Sequence, residues 1–198
     1  MSKNIIVYDI ETQKTFDEVG GSRALDKLGI SVLGAYDYRS NEYLIYEEKE
    51  LKLFEARLQE KPLLVGFNSR KFDTPVLQAY IQFDIAKNVP QFDLLEEMVK
   101  TLGHRVSLDS IAEATLGRKK IGHGLDAIKY FRNGEMEKLK KYCLEDVKIT
   151  RELYEYGAKH HELMFTSKFG GGKAKATVKY EVAHPDEAFG PELQQSLF

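Results

Sequence analysis

The sequence predicts an α/β domain on three observations: an apolar run at residues 5–8 that closes on acidic residues, two β-rich runs around a polar turn, and helical spacing from residue 72 onward. Residues 5–8 (IIVY) run without alternation, as a fully buried strand does. Residues 12–28 are polar and contain Gly20-Gly21, which predicts a long loop with one helical turn. Residues 30–38 and 42–47 are rich in Val, Leu, Ile and Tyr and flank Arg39-Ser40-Asn41, the pattern of a hairpin. With the first run they make a three-stranded start. Residues 51–58 space Leu51, Phe54 and Leu58 along one helical face, and residues 63–67 form a short strand.

Helices are predicted near 74–82, 93–102, 108–116, 125–131 and 135–160, punctuated by Gly103, Gly117, Gly122, Gly124 and Gly134. Strands alternating with helices define an α/β architecture, here with a central mixed sheet flanked by helices. Residues 163–169 and 173–182 surround Gly170-Gly171-Gly172 and read as a C-terminal β-hairpin. Residues 184–191, which include Pro185 and Pro191, read as a linker to the QQSLF terminus. The expected division is a main domain at 1–162, a hairpin packed on it at 163–183, and a linker and tail at 184–198.

The 198 residues suffice for one domain with a sizeable core. The net charge of −2 (29 basic against 31 acidic residues) sets up no global basic field, so any nucleic-acid contact must rely on local patches. A single cysteine, Cys143, excludes an intramolecular disulfide and a cysteine-based zinc cluster, and reads as a small buried filler. No apolar stretch approaches the ~20 residues of a membrane span, and no secretory leader is visible, so a cytoplasmic protein is expected.

The chemistry sits in acidic residues. Asp9 and Glu11 are two apart at the end of the first run, so they share one face of the strand. Tyr142 and Asp146 are four apart in a helix and again share a face. Asp73 follows a strand-to-helix turn, where a helix cap is the alternative reading. Buried carboxylates are costly unless something binds them, and hard cations such as Mg²⁺ favour an all-oxygen ligand set. Asp93, in VPQFDLL, reads as a helix cap rather than a further ligand.

Taken together, Asp9-Ile10-Glu11-Thr12, GFNSRKFDTPVL and YCLEDVKIT resemble the three motifs of the DEDD superfamily of 3′–5′ exonucleases, in the branch with a tyrosine in the third motif. The second motif and the stretch LDSIAEATLGRKK look like the proofreading domains of family-B DNA polymerases. A small stand-alone group of ribonuclease-H-like exonucleases, the YprB-like proteins, is also similar. The resemblance covers residues 4 to 156 and implies a ribonuclease-H-like (DnaQ-like) fold. It implies two divalent ions, Mg²⁺ or Mn²⁺, held by Asp9, Glu11, Asp73 and Asp146, with Asp9 bridging both and Tyr142 orienting the attacking water. The histidine variant of the third motif is excluded, because its position is Lys141.

The resemblance further implies 3′–5′ hydrolysis of single-stranded ends, with DNA preferred and RNA the alternative; a catalytically weak nucleic-acid-binding adaptor is the reading from another class. Asn68, Thr12 and Phe72 are the expected substrate contacts, with Phe67 as a second aromatic near the same motif. Arg118-Lys119-Lys120 and Lys138, Lys140 and Lys141 are candidate backbone contacts, as are His104 and His123. The terminal QQSLF resembles the bacterial sliding-clamp-binding peptide, matching at Gln194, Ser196, Leu197 and Phe198 and departing at Gln195. A clamp partner would engage Gln194, Leu197 and Phe198 and would place the protein in DNA replication or repair.

Overall fold

The computed structural model describes residues 3–118, 124–167 and 172–180. In chain order, β1 (Ile5–Thr12) leads to α1 (Phe16–Val19), then the hairpin β2 (Ile30–Asp37) and β3 (Glu42–Glu47). α2 (Leu51–Leu58), β4 (Leu63–Gly66), α3 (Asp73–Gln78), α4 (Ile85–Asn88) and β5 (Gln91–Asp93) follow. The helices α5 (Leu94–Leu102), α6 (Leu108–Leu116), α7 (Gly124–Arg132) and α8 (Met136–His160) precede the hairpin β6 (Glu162–Thr166) and β7 (Lys173–Thr177).

The main sheet runs β3-β2-β1-β4-β5. β1 is antiparallel to β2 and parallel to β4, which is parallel to β5, so the expected mixed sheet is present. The carboxyl ends of the three parallel strands lie on one rim, where the strand-to-helix loops of such sheets gather ligands.

Alternation along β1 sorts its side chains between two cores. Ile6, Tyr8 and Ile10 pack with α2 and α3 residues such as Phe54, Leu58, Val76 and Leu77. Ile5 and Val7 face the other way, into a core with Val147, Ile149 and Leu153 of α8. A strand has period two, so Asp9 and Glu11 continue the face of Ile5 and Val7, toward α8. The 25-residue α8 buries Leu139, Tyr142, Cys143, Asp146, Val147, Thr150 and Leu153, spaced by three and four.

The β6–β7 hairpin packs on the domain through its inward residues Leu163, Phe165 and Ala176. Thr115 Oγ1 on α6 both donates to the Met164 carbonyl and accepts from the Met164 amide, at 2.9 Å each.

Four differences from the sequence reading have physical causes. β1 extends to Thr12, so Asp9 and Glu11 lie within a strand that β2 still pairs (Asp9 opposite Gly34, Glu11 opposite Val32). The helix expected over 74–82 stops at Gln78, and the Gln78 side chain caps the turn by donating to the Ile81 and Phe83 carbonyls. α4 and β5 were not anticipated, because four- and three-residue elements carry too little periodicity.

Candidate active site

The site grows from the place where β4 stops accompanying β1. β4 pairs only with Ile5, Ile6 and Val7. Beyond that point the Ile10 amide faces a gap, and Asp73 Oδ1 accepts its hydrogen at 3.0 Å. Asp73 is the first residue of α3, after Phe72 in the N-cap position, so it is not itself the cap. Its carboxylate instead plugs into the strand between the two first-motif acids. The Tyr8 hydroxyl lies 2.7 Å from Thr74 Oγ1 and ties the same two elements a second time.

From the other side, α8 brings Tyr142, Cys143 and Asp146. Cys143 Sγ lies 3.6 Å from the Asp9 carbonyl and 4.0 Å from Asp9 Oδ2. Ligand atoms of Asp9, Glu11 and Cys143 all fall within 4.8 Å of one another. Gly34, opposite Asp9 on β2, makes this approach possible. A Cβ there would meet Cys143 Sγ at 2.9 Å and Val147 Cγ2 at 3.1 Å.

Electrostatics couple the members of the cluster, each acid disfavouring charge on its neighbours. Burial raises the Asp73 carboxyl to about 7; the Ile10 amide opposes that rise, while the charges of Asp93 and Asp146 add to it. Burial likewise pushes the Cys143 thiol well up, reinforced by Asp9, Glu11 and Asp146. Asp73 and Asp146 are 3% and 5% exposed and Glu11 8%, so water screens them little. A buried oxygen-rich set that resists carrying its full charge matches the donor chemistry of a hard divalent cation. The neutral thiol at its edge does not detract from that fit.

The second-motif loop is built around Asp93. Its Oδ1 accepts from the amides of Asn68 (2.9 Å), Leu95 (3.0 Å) and Glu96 (3.2 Å), and its Oδ2 from Arg70 (3.1 Å). The expected helix cap is therefore present, and the same carboxylate also holds the loop that delivers Asp73. Asn68 takes a left-handed backbone (φ 63°), and the amides of Lys71 and Phe72 turn back onto its carbonyl.

The expected substrate residues surround this rim. Thr12 Oγ1 donates to the Lys14 carbonyl at 3.1 Å, so its hydroxyl serves its own loop. Phe72 meets Phe16 edge-on, with ring centroids 5.9 Å apart, and Phe16 is 42% exposed. Phe67 packs against the core on the α8 side. Three of the described basic candidates are engaged by acids. Arg118 pairs with Glu152 (3.1 Å) and Glu145 (4.0 Å), Lys140 with Glu47 (2.8 Å), and Lys138 with Glu135. His104 sits edge-on to Phe165. Lys119, Lys120, His123 and the tail residues Gln194, Leu197 and Phe198 lie outside the described residues.

Sequence reasoning missed three neighbours of the site: Phe16, Arg105 and the contact of Cys143 with Asp9. Phe16 and Arg105 lie in polar segments with no periodicity to flag them. Cys143 was expected to be buried, and nothing in its sequence context names the carboxylate beside it.

The fold and site define a ribonuclease-H-like α/β protein with a buried carboxylate cluster at the rim of its sheet. Residues 6–157 match the RNase_H superfamily, and the chain belongs to it. Among solved structures, the chain is similar to RNase D of Trypanosoma brucei, with 16% identity and a TM-score of 0.56. That match covers 78% of this chain and 57% of the other, so the chain spans little more than half the length of that relative. No curated protein matches significantly.

Proposed function

We propose that the chain is a metal-dependent 3′–5′ exonuclease that releases nucleoside monophosphates from single-stranded ends, with DNA preferred. The observation that carries this reading is the seating of Asp73 on the Ile10 amide. It joins the second motif to Asp9 and Glu11, while α8 sets Cys143 against Asp9 and carries Tyr142 and Asp146 beside it. Asp9, Glu11, Asp73 and Asp146 would hold the cations, Mg²⁺ or Mn²⁺. When bound, such ions supply a low-pKa water and neutralise charge on the transferred phosphorus.

The protein's own groups do the positioning. Tyr142, one helical turn before Asp146, orients the attacking water through its hydroxyl. Phe72, with Phe16 against it, offers an aromatic face on which a terminal base can stack. Asn68 shapes the loop that presents the substrate side of the site.

The DNA preference rests on the likeness of GFNSRKFDTPVL to proofreading domains and on the QQSLF tail, whose expected partner is a sliding clamp. Exoribonuclease activity is the second reading, favoured by the structural likeness to the trypanosomal RNase D. The test is degradation of 5′-labelled single-stranded DNA and RNA in Mn²⁺, comparing wild type with Asp9→Ala. A ladder shortening from the 3′ end and lost in the variant is expected. Cleavage that survives Asp9→Ala, or no cleavage of either polymer, refutes the proposal.

A further inference from the structure

A nuclease with four carboxylates at its centre, three of them buried, must still attract a polyanion. The cations near the rim are mostly spent. Arg70 pairs with Glu96 (3.4 Å) and donates to the Gln91 carbonyl (3.1 Å); Lys71 also approaches Glu96 (3.9 Å); Arg132 pairs with Glu18 (2.6 Å). Arg105, in the exposed connection between α5 and α6, is different. Its Nη2 donates to Asn68 Oδ1 at 2.9 Å, a neutral partner, and among the described residues no carboxylate pairs with it.

Resting on the nuclease reading, we infer that Arg105 is a substrate-phosphate contact held in place by the Asn68 side chain. The guanidinium is a planar fork of five donors, of which this amide oxygen takes only one side. The remaining edge suits the two non-bridging oxygens of a phosphodiester. Its placement is specified by the fold. Asp93 fixes the Asn68 amide, the left-handed turn at Asn68 aims the side chain outward to Arg105, and the same loop ends on Asp73. The side chain that holds Arg105 and the second-motif carboxylate are thereby carried on one turn. Arg105 thus sets where the backbone of the single strand enters relative to the carboxylates.

The test is fluorescence-anisotropy binding of a 3′-blocked, labelled oligothymidylate in Ca²⁺ over a salt series, with wild type, Arg105→Gln, Arg105→Lys, Asn68→Gly and Arg39→Gln. Arg39 lies by the β2–β3 turn at the opposite end of β1, so its variant removes the same charge far from the site. Each phosphate contact on a single strand contributes about 0.7 to the slope of log affinity against log salt. Arg105→Gln should lose about that much slope and bind on the order of tenfold more weakly. Arg105→Lys should keep the slope but not the affinity. Asn68→Gly, which tolerates the left-handed backbone, should weaken binding with the slope intact. Arg39→Gln should match wild type.

Wild-type slope and affinity in Arg105→Gln, while wild type binds and cleaves from the 3′ end, overturn this inference alone. A wild-type protein that neither binds nor cleaves overturns the nuclease reading and this inference with it. Because Arg105 is exposed, an unchanged melting temperature identifies its variants as folded.

Discussion

Asp73 Oδ1 accepts a hydrogen bond from the Ile10 backbone amide at 3.0 Å, so one side chain from the start of α3 completes the strand that carries Asp9 and Glu11. The bond replaces the partner that β4 would have supplied had it run further. A structural vacancy in the sheet and the assembly of the site are therefore the same event.

One consequence concerns pH. The Asp73 carboxyl stands at about 7 in the folded protein against an ordinary 3.8. The folded state thus keeps a proton that the unfolded chain releases first. Its stabilising contribution is complete below about pH 4 and is lost as pH rises through 7. Melting of the metal-free protein should fall by roughly 5 °C between pH 5 and pH 8. Asp73→Asn should flatten that fall and reduce hydrolysis on the order of a thousandfold; an equally steep fall in the variant would show that another group governs it.

Divalent metal should reverse the same repulsion. Millimolar Mn²⁺ or Mg²⁺ is expected to raise the melting temperature of wild type by several degrees through preferential binding to the folded state. Asp9→Ala should show little or no such rise. A wild-type melting curve indifferent to both ions would count against metal binding at the cluster.

Asp93 should be a larger structural loss than an ordinary helix cap. It satisfies four backbone amides in two segments. Asp93→Ala should cost about 3 kcal/mol in urea unfolding, more than the ~1 kcal/mol of a single cap. Asp93→Asn, which keeps an acceptor oxygen, should recover part of it. Equal stability of the Ala and Asn variants would contradict this account.

The close approach of Gly34 to Cys143 lends itself to a double-mutant cycle. Gly34→Ala places a methyl 2.9 Å from Cys143 Sγ and should destabilise by about 1–3 kcal/mol. In a Cys143→Ala background the penalty should shrink to what the 3.1 Å contact with Val147 Cγ2 imposes, about 1 kcal/mol or less. Additive effects would mean that the clash is relieved elsewhere.

Tyr142 and its hydroxyl can be separated by one substitution. Tyr142→Phe keeps the ring that packs with Val32, Leu139 and Cys143. It should melt like wild type while kcat falls about 10- to 100-fold with KM little changed. A rise in KM with kcat unchanged would assign the hydroxyl to substrate binding.

Much of the candidate site was legible because its acidic residues come in patterned pairs: Asp9 with Glu11 at strand spacing, Tyr142 with Asp146 at helical spacing. The long helix α8 and the β2–β3 hairpin were likewise visible, since each repeats its period several times. Asp93 was recognised as a cap from its place before an apolar helix, yet its grip on Asn68 and Arg70 was not, because that pairing crosses between separate segments. Arg105 was invisible for the same reason: its meaning comes from Asn68, thirty-seven positions earlier. β5 escaped because three residues cannot display alternation, and only its neighbour β4 makes it a strand.

The separation of Asp9 and Asp146 also bears on how the molecule comes into being. Synthesis delivers β1 first, and the helix that closes the site arrives only after the other four strands of the main sheet have been made. A nascent chain still tethered to its ribosome therefore holds Asp9, Glu11 and Asp73 before Asp146 exists. On the proposed nuclease reading, reactivity toward the surrounding nucleic acid, ribosomal RNA and messenger included, waits until α8 docks. The topology acts as a safety catch released by the completion of folding.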